Sequence, residues 1–361
     1  MKILIIGNGA IGIDDDERFF INSHTGKFLL NLQKEHKISF VQYASMYNVN
    51  NDLQNFDLKA NNIFFDIIHN NKSFKSILKI VQLVRNNEVI YLFYPGTLSR
   101  IVGIIAILLR KKIGLYIRGQ YYNEQWIDKL ILLNSHFILT VSPHFMKNLK
   151  EYCSKVEVIA PMISITRQDF YLGRKYERPK IWNLLFVGRV EERKGIYELL
   201  EIAKILKQNK LEFNLNIVGG GDLFAVISNL IKKEKLDNIT LHGQVADKSL
   251  LKDLYNQADA FVFTSHDEGF PRVLYEAMAS GLPIFTTFVG GIPGRMEDCI
   301  NCVKLSHKDG NKSGEIISNA LKNIDLLPKI GLQGQKTVLS ILEGNTLSHE
   351  TLLLHNVNNM S

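Results

Sequence analysis

Glu268 and Glu276 lie in the stretch Ser265-His266-Asp267-Glu268-Gly269-Phe270-Pro271-Arg272-Val273-Leu274-Tyr275-Glu276-Ala277-Met278-Ala279-Ser280-Gly281-Leu282-Pro283. Two carboxylates fixed near one strand-to-helix turn can grip the hydroxyls of a sugar or a ribose. Upstream, Gly188-Arg189-Val190-Glu191-Glu192-Arg193-Lys194-Gly195 offers a strand-end arginine with a lysine five residues later. Two such cations beside a helix N-terminus suit a diphosphate. Glycines cluster in Gly219-Gly220-Gly221-Asp222, where backbone N–H groups can approach an anion or a flat base, and a second glycine pair stands in Val289-Gly290-Gly291-Ile292-Pro293.

These groups need rigid supports, and the surrounding pattern predicts them. A strand over 260–264 delivers Glu268; Pro271 suits a first helical position, Gly281 a C-terminal cap and Pro283 a stop, so a short helix carries Glu276. Further strands are predicted near 183–187, 214–218, 239–241 and 283–286. In the first half, strands at 2–6, 38–43, 89–94, 113–117 and 137–141 alternate with helices at 27–36, 73–84 and 98–110. The alternation predicts α/β architecture, two parallel sheets with covering helices facing one another across a cleft. The expected division is a first domain over 1–165, a linker over 166–182, a second domain over 183–335 and a tail over 336–361 that packs back on the first domain.

Residues 183–303 resemble in detail, and the first half in layout, the GT-B retaining glycosyltransferases of family 4 (glycosyl transferases group 1). The Glu-x7-Glu pair stands in that family's Glu-Gly-Phe-Pro and Glu-Ala-Met-Ala-x-Gly-x-Pro frame. Gly188 to Gly195 matches its Gly-Arg-x4-Lys-Gly segment, Val218 to Gly221 its Val-Gly-x-Gly loop and Gly290 to Pro293 its Gly-Gly loop. The resemblance implies two Rossmann-like domains, an acceptor in the first and a nucleotide-sugar in the second, a UDP-sugar in first place and a GDP-sugar in second. It implies Arg189 and Lys194 on the leaving diphosphate, Glu268 on the transferred sugar and Glu276 on the ribose. The donor site would be completed by Gly188, Gly219, Gly221, Gly243, Val245, Gly269, Phe270, Pro271, Gly290 and Gly291. Transfer would go with retention, by front-face attack assisted by the leaving phosphate, with no metal and no cofactor. Two positions depart from the pattern: Gly294 replaces the usual Glu, and Asn301-Cys302-Val303-Lys304 replaces Asn-Gly-x-Leu.

On the acceptor side the resemblance implies Gly9 and Gly26, in glycine-containing segments after the first strand, and Arg118 of Arg118-Gly119-Gln120. Gly7-Asn8-Gly9-Ala10-Ile11-Gly12 also matches the dinucleotide fingerprint formally, which leaves a nicotinamide oxidoreductase as an alternative, although the second strand lacks the acidic end residue that ribose needs. A catalytically inactive sugar-nucleotide-binding member is another, with Gly294 as its motive. Asp14-Asp15-Asp16 mimics an Asp-x-Asp metal motif but stands in the first loop, and Cys299-Ile300-Asn301-Cys302 lacks the second pair that structural zinc requires.

The 361 residues carry a net charge of +7, and up to residue 165 there are 19 Lys and Arg against 13 Asp and Glu. A basic first half suits anionic lipid or a phosphorylated acceptor, whereas the scattered cations form no nucleic-acid motif. Residues 73–84 can be a basic amphipathic helix on a membrane or a helix covering the sheet. Three cysteines make no disulfide framework, the start of the chain is shaped like a first strand rather than a signal peptide, and the apolar run 101–109 is too short to span a bilayer. The expectation is a cytoplasmic hexosyltransferase, peripheral at the inner face of a bacterial membrane and active in surface polysaccharide or lipopolysaccharide assembly.

Overall fold

The computed structural model describes residues 1–46, 55–69, 73–119, 125–160, 165–344 and 347–360. The chain divides into two compact units, 1–160 with 346–361, and 161–345.

In the first unit the elements run β1 (Lys2–Ile13), β2 (Phe19–Ile21), α1 (Ser23–Leu32), β3 (Lys37–Met46), β4 (Phe56–Asp57), β5 (Phe65–Ile68), α2 (Phe74–Asn86), β6 (Val89–Tyr94), α3 (Thr97–Leu108), β7 (Lys112–Ile117), α4 (Trp126–Leu133), β8 (Phe137–Thr140), α5 (Pro143–Leu149) and β9 (Val156–Val158). The parallel strands lie in the order β5-β3-β1-β6-β7-β8-β9, and β2 and β4 are antiparallel additions beside the end of β1. Every residue of β6 is buried. Its side chains alternate, so Ile90, Leu92 and Tyr94 join one apolar cluster while Tyr91 and Phe93 pack against Phe28 on the other face.

β1 does not stop at Ile6 as its apolar run predicts. Its pairing with β3 shifts between Ile6 and Ala10 and then continues to Ile13. The glycines make room for Gln42 at this bulge: a Cβ on Gly7 would lie 2.2 Å from Gln42 Nε2, and one on Gly9 3.2 Å away. Gly7 to Gly12 is therefore strand, not the strand-to-helix turn that a dinucleotide fingerprint requires.

The second unit contains β10 (Trp182–Val187), α6 (Ile196–Gln208), β11 (Phe213–Val218), α7 (Phe224–Lys233), β12 (Ile239–Gly243), α8 (Lys248–Gln257), β13 (Ala260–Phe263), α9 (Arg272–Ala279), β14 (Ile284–Thr287), β15 (Val303–Leu305), α10 (Gly310–Lys322) and α11 (Leu327–Glu343). Its parallel sheet has the order β12-β11-β10-β13-β14-β15, the doubly wound order. The order reverses between β10 and β13, so their carboxyl ends flank the switch point.

Residues 166–182, predicted as a linker, are part of this unit. Arg174 donates from Nε to Ser280 O at 2.7 Å, from Nη1 to Ala258 O, and from Nη2 to Tyr255 O at 2.9 Å. It thereby satisfies carbonyls at the C-terminal ends of α8 and α9, which have no partner inside their helices. Arg174→Met should strip donors from these carbonyls and destabilise the protein by about 3 kcal/mol, read as a lower urea midpoint at unchanged slope.

Residues 336–343 complete α11, and only 346–361 return to the first unit. There α12 (His349–Asn358) is held by its first residue. His349 Nε2 lies 2.6 Å from the Tyr91 hydroxyl, and the ring stacks on Phe28 with centroids 4.3 Å apart. Burial drives the His349 imidazole down to about 3, with Arg118 acting in the same direction, so it is neutral at ordinary pH.

Candidate functional site

The loops after β10 and β13 meet at the switch point of the second unit. Lys194 ends a 3-10 turn, Glu192–Lys194, closed by Gly195 at φ +70°, which is also the N-cap of α6. Backbone bonds tie this turn to the β13 loop: His266 N donates to Arg193 O at 2.9 Å, and Thr264 Oγ1 to Gly195 O at 2.9 Å. The result is a close ion pair, Lys194 Nζ to Glu268 Oε1 at 2.5 Å, with both side chains largely buried. Ser265 Oγ donates to the same Oε1 at 2.8 Å. Both contacts fall on one oxygen, which leaves the lone pairs of Oε2 for another donor.

The Gly-Gly loop after β14 reaches the backbone of Glu268. Gly290 has φ +53°, and a Cβ there would lie 1.7 Å from Glu268 O; Gly291 N donates to that same oxygen at 3.3 Å. Gly294, where the resembled pattern has Glu, ends a 3-10 turn, Ile292–Gly294, and donates its N–H to Gly291 O at 3.1 Å.

The glycine loop after β11 has a different reason for its composition. A Cβ on Gly219, at φ +137°, would lie 1.9 Å from Gly188 O, while Gly188 N donates to Val218 O and Val190 N to Gly220 O. A Cβ on Gly221 would come within 2.5 Å of Val190 O. These glycines let the β10 and β11 loops lie against one another. Gly219 N continues the ladder to Gly243 O at 2.8 Å, and Val245 packs on the core of the unit.

Glu276 sits in α9, where the Tyr255 hydroxyl donates to its Oε2 at 2.9 Å. Burial pushes the Glu276 carboxyl above its ordinary range, and the Tyr255 bond and the Arg272 charge only partly offset it. Pro271 is the N-cap of α9 rather than its first residue, and after Gly269 the Phe270 ring lies 4.6 Å from the Tyr275 ring.

Arg189 is 58% exposed at the end of β10 and pairs with Glu191 Oε2 at 3.4 Å; Arg193 takes the other oxygen of Glu191 at 3.3 Å. The fold thus joins Lys194, Glu268, Gly290 and Gly291 by direct contact, and joins Gly188, Gly219 and Gly243 through backbone. Ser265, Tyr255 and Glu191 are supporting residues that the motifs do not single out: Tyr255 reaches Glu276 from another helix, Ser265 bonds both Glu268 and Arg193 O of the facing loop, and Glu191 pairs with Arg189 and Arg193 of its own loop.

In the first unit, Arg118 is exposed just past the carboxyl end of β7, and its neighbour Gln120 lies outside the described residues. Gly9 is in the bulge of β1 rather than in a loop. Gly26 is buried within α1, where a Cβ would lie 2.2 Å from the Phe56 ring, so packing alone requires glycine there. Asp14 accepts from Arg18 Nε and from the amides of Asp16 and Arg18, forming a turn. Among the described residues no three His, Cys, Asp or Glu converge, and Cys302, buried beside exposed Cys299, has its thiol pushed up by burial.

Residues 173–334 match the family model described as glycosyl transferases group 1. The capsular polysaccharide biosynthesis glycosyltransferase CapM of Staphylococcus aureus is 24% identical over 309 residues, 78% of this chain and 80% of that one. A 41.2 kDa protein in the cps region of Klebsiella pneumoniae is 25% identical over 267 residues, 71% of this chain and 69% of that one. Among solved structures, Anabaena Alr3699/HepE in complex with UDP superposes with a TM-score of 0.67 at 16% identity, covering 99% of this chain and 100% of that chain.

Proposed function

The chain is a glycosyltransferase of the GT-B fold with a group 1 domain over residues 173–334, and from that premise we propose that it is a retaining enzyme of family 4 using a nucleotide-diphosphate sugar. The observation that carries this reading is the Lys194–Glu268 pair at the switch point of the second sheet. Lys194 has two ammonium protons beyond the one given to Glu268, and these would meet the leaving diphosphate. Arg189 would add charge from the rim, Glu268 would orient the sugar, and Glu276 the ribose. UDP is the favoured base carrier because the structural relative named above binds it, with GDP second. The acceptor is a hydroxyl of a glycan or lipid-linked saccharide in capsule, lipopolysaccharide or related surface polysaccharide synthesis, reached from the cytoplasmic face of the membrane; the capsular relative supports the polysaccharide class. We assign no metal: Lys194 and Arg189 are the cations proposed to meet the diphosphate.

Thermal unfolding in EDTA with UDP, GDP, ADP, NADH and nucleotide sugars tests the donor. A ligand at about 100 times its Kd adds roughly 2.7 kcal/mol to the folded state. A shift with UDP or GDP and its sugars supports the reading, and NMR of the product anomer tests retention. A shift with NADH alone would overturn it.

Glu276 adds a test with a defined sign. Its raised folded pKa means that ionisation costs the folded state stability: the contribution is fully present below the unfolded pKa and lost as pH rises through the folded value. Glu276→Gln keeps an acceptor for Tyr255, so without ligand it should melt higher than wild type at about pH 8 and lose this advantage near pH 4. Its affinity for the nucleoside diphosphate should fall about tenfold or more.

A further inference from the structure

The geometry points to a membrane-docking face on the first unit, formed by the starts of α2 and α4, that rests on an anionic lipid bilayer. A helix that only covers a sheet buries its apolar arc, whereas α2 leaves one side of its arc outside. Ile80 and Val84 are buried in the core, but Phe74 is 73% exposed, Leu78 53% and Ile77 39%. Phe74 and Leu78, one turn apart, form the outward edge of that arc, and Ile77 lies between them and the buried residues. Trp126, the first residue of α4, is 71% exposed.

Topology places these groups on one rim. α2 follows β5 and α4 follows β7, and both strands are parallel to their neighbours, so both helices begin at the carboxyl end of the sheet. α2 packs on α3 and α3 on α4, which puts all three on one side of the sheet. Phe74 and Trp126 therefore stand at the same end, where ligands of such sheets bind and where Arg118 also lies.

Charge selects the occupant. Near their starts α2 and α4 carry Lys75, Lys79 and Lys129, while Arg85 stands in the last turn of α2, away from this rim. Asp128, the one acidic residue on α2, α3 and α4, is buried and bonded to Arg100, and Asp66 of β5 pairs with Lys79. An excess of cations around exposed aromatic and aliphatic side chains fits an anionic interface, where aromatic rings sit at headgroup level and lysines meet the surface potential. The biological sense of this face rests on the proposed lipid-borne acceptor, but vesicle binding requires no donor and no turnover, so either reading can fail alone.

The chain supplies its own probe, because its other tryptophan, Trp182, is buried at 4% exposure. Full-length protein is titrated with phosphatidylcholine vesicles with and without phosphatidylglycerol, at low and high salt, reading tryptophan emission and co-sedimentation. A blue shift and binding with the anionic vesicles, reduced by salt, are expected. The Phe74→Ser/Leu78→Ser variant should lose about tenfold or more in partitioning. Phe64→Ser, an equally exposed site just before β5 at the opposite end of the sheet, should bind as wild type. Unchanged melting temperatures confirm folding, and a Trp126→Phe variant separates the probe from the anchor. No emission change with anionic vesicles, or binding that survives Phe74→Ser/Leu78→Ser, overturns the proposal. Self-association in sedimentation velocity that this variant abolishes would assign the face to a second copy instead.

Discussion

Lys194→Met is expected to lower kcat by about 10²–10³-fold, the scale of removing one preorganised donor from developing charge. The side chain is pinned at 2.5 Å from Glu268 and largely shielded from water, so its charge acts in a low-dielectric setting. Donor affinity should fall much less, because the interaction strengthens as the diphosphate leaves. Arg189→Ala should act in the same direction but more weakly, since that guanidinium is 58% exposed and already shared with Glu191. Steady-state kinetics with a hydrolysable or transferable nucleotide sugar measures both. Turnover unchanged in Lys194→Met would remove the lysine from the mechanism. Because Lys194 and Glu268 touch, Lys194→Met and Glu268→Gln should combine non-additively, and a double-mutant cycle measures that coupling.

Gly290→Ala should damage both fold and activity. The position has φ +53°, and the new methyl would lie 1.7 Å from Glu268 O, a backbone atom that no side-chain rotation can move. Either the Gly-Gly loop or the Glu268 turn must shift, which costs about 3 kcal/mol or more and misplaces the carboxylate. Catalytic loss follows because a displacement of the order of 1 Å can cost about 10²-fold in rate. Two controls set the scale. Gly188→Ala would meet the Phe186 side chain first, at 3.0 Å, and should cost less stability than Gly290→Ala; Gly119→Ala has no atom within 4 Å of the new Cβ and should leave stability unchanged. Melting curves and kcat for the three variants test the order. A Gly290→Ala enzyme that melts and turns over like Gly188→Ala would refute the close approach.

The chemistry at Gly290 also marks the boundary between local pattern and fold. Pattern alone determined that strands alternate with helices, that Glu268 follows a strand and Glu276 rides a short helix, and that Arg189 and Lys194 follow another strand. Each of these depends on neighbours within about one turn or one strand, where periodicity, proline and glycine act directly. The β-bulge at Gly7 to Gly9 was not legible in this way, since its cause is Gln42 on a different strand. The linker pattern at 166–182 was misleading for the same reason: Arg174 belongs to the second unit through carbonyls of Tyr255, Ala258 and Ser280.

Composition likewise showed α2 as amphipathic without saying which apolar residues face the core. Packing divided them, burying Ile80 and Val84 and leaving Phe74 and Leu78 outside. The short-range code thus fixed which residues could do chemistry and on what elements they ride. Strand order fixed which of them meet, because a parallel sheet joins segments far apart in sequence. Lys194 and Glu268 become partners only when β13 is laid beside β10.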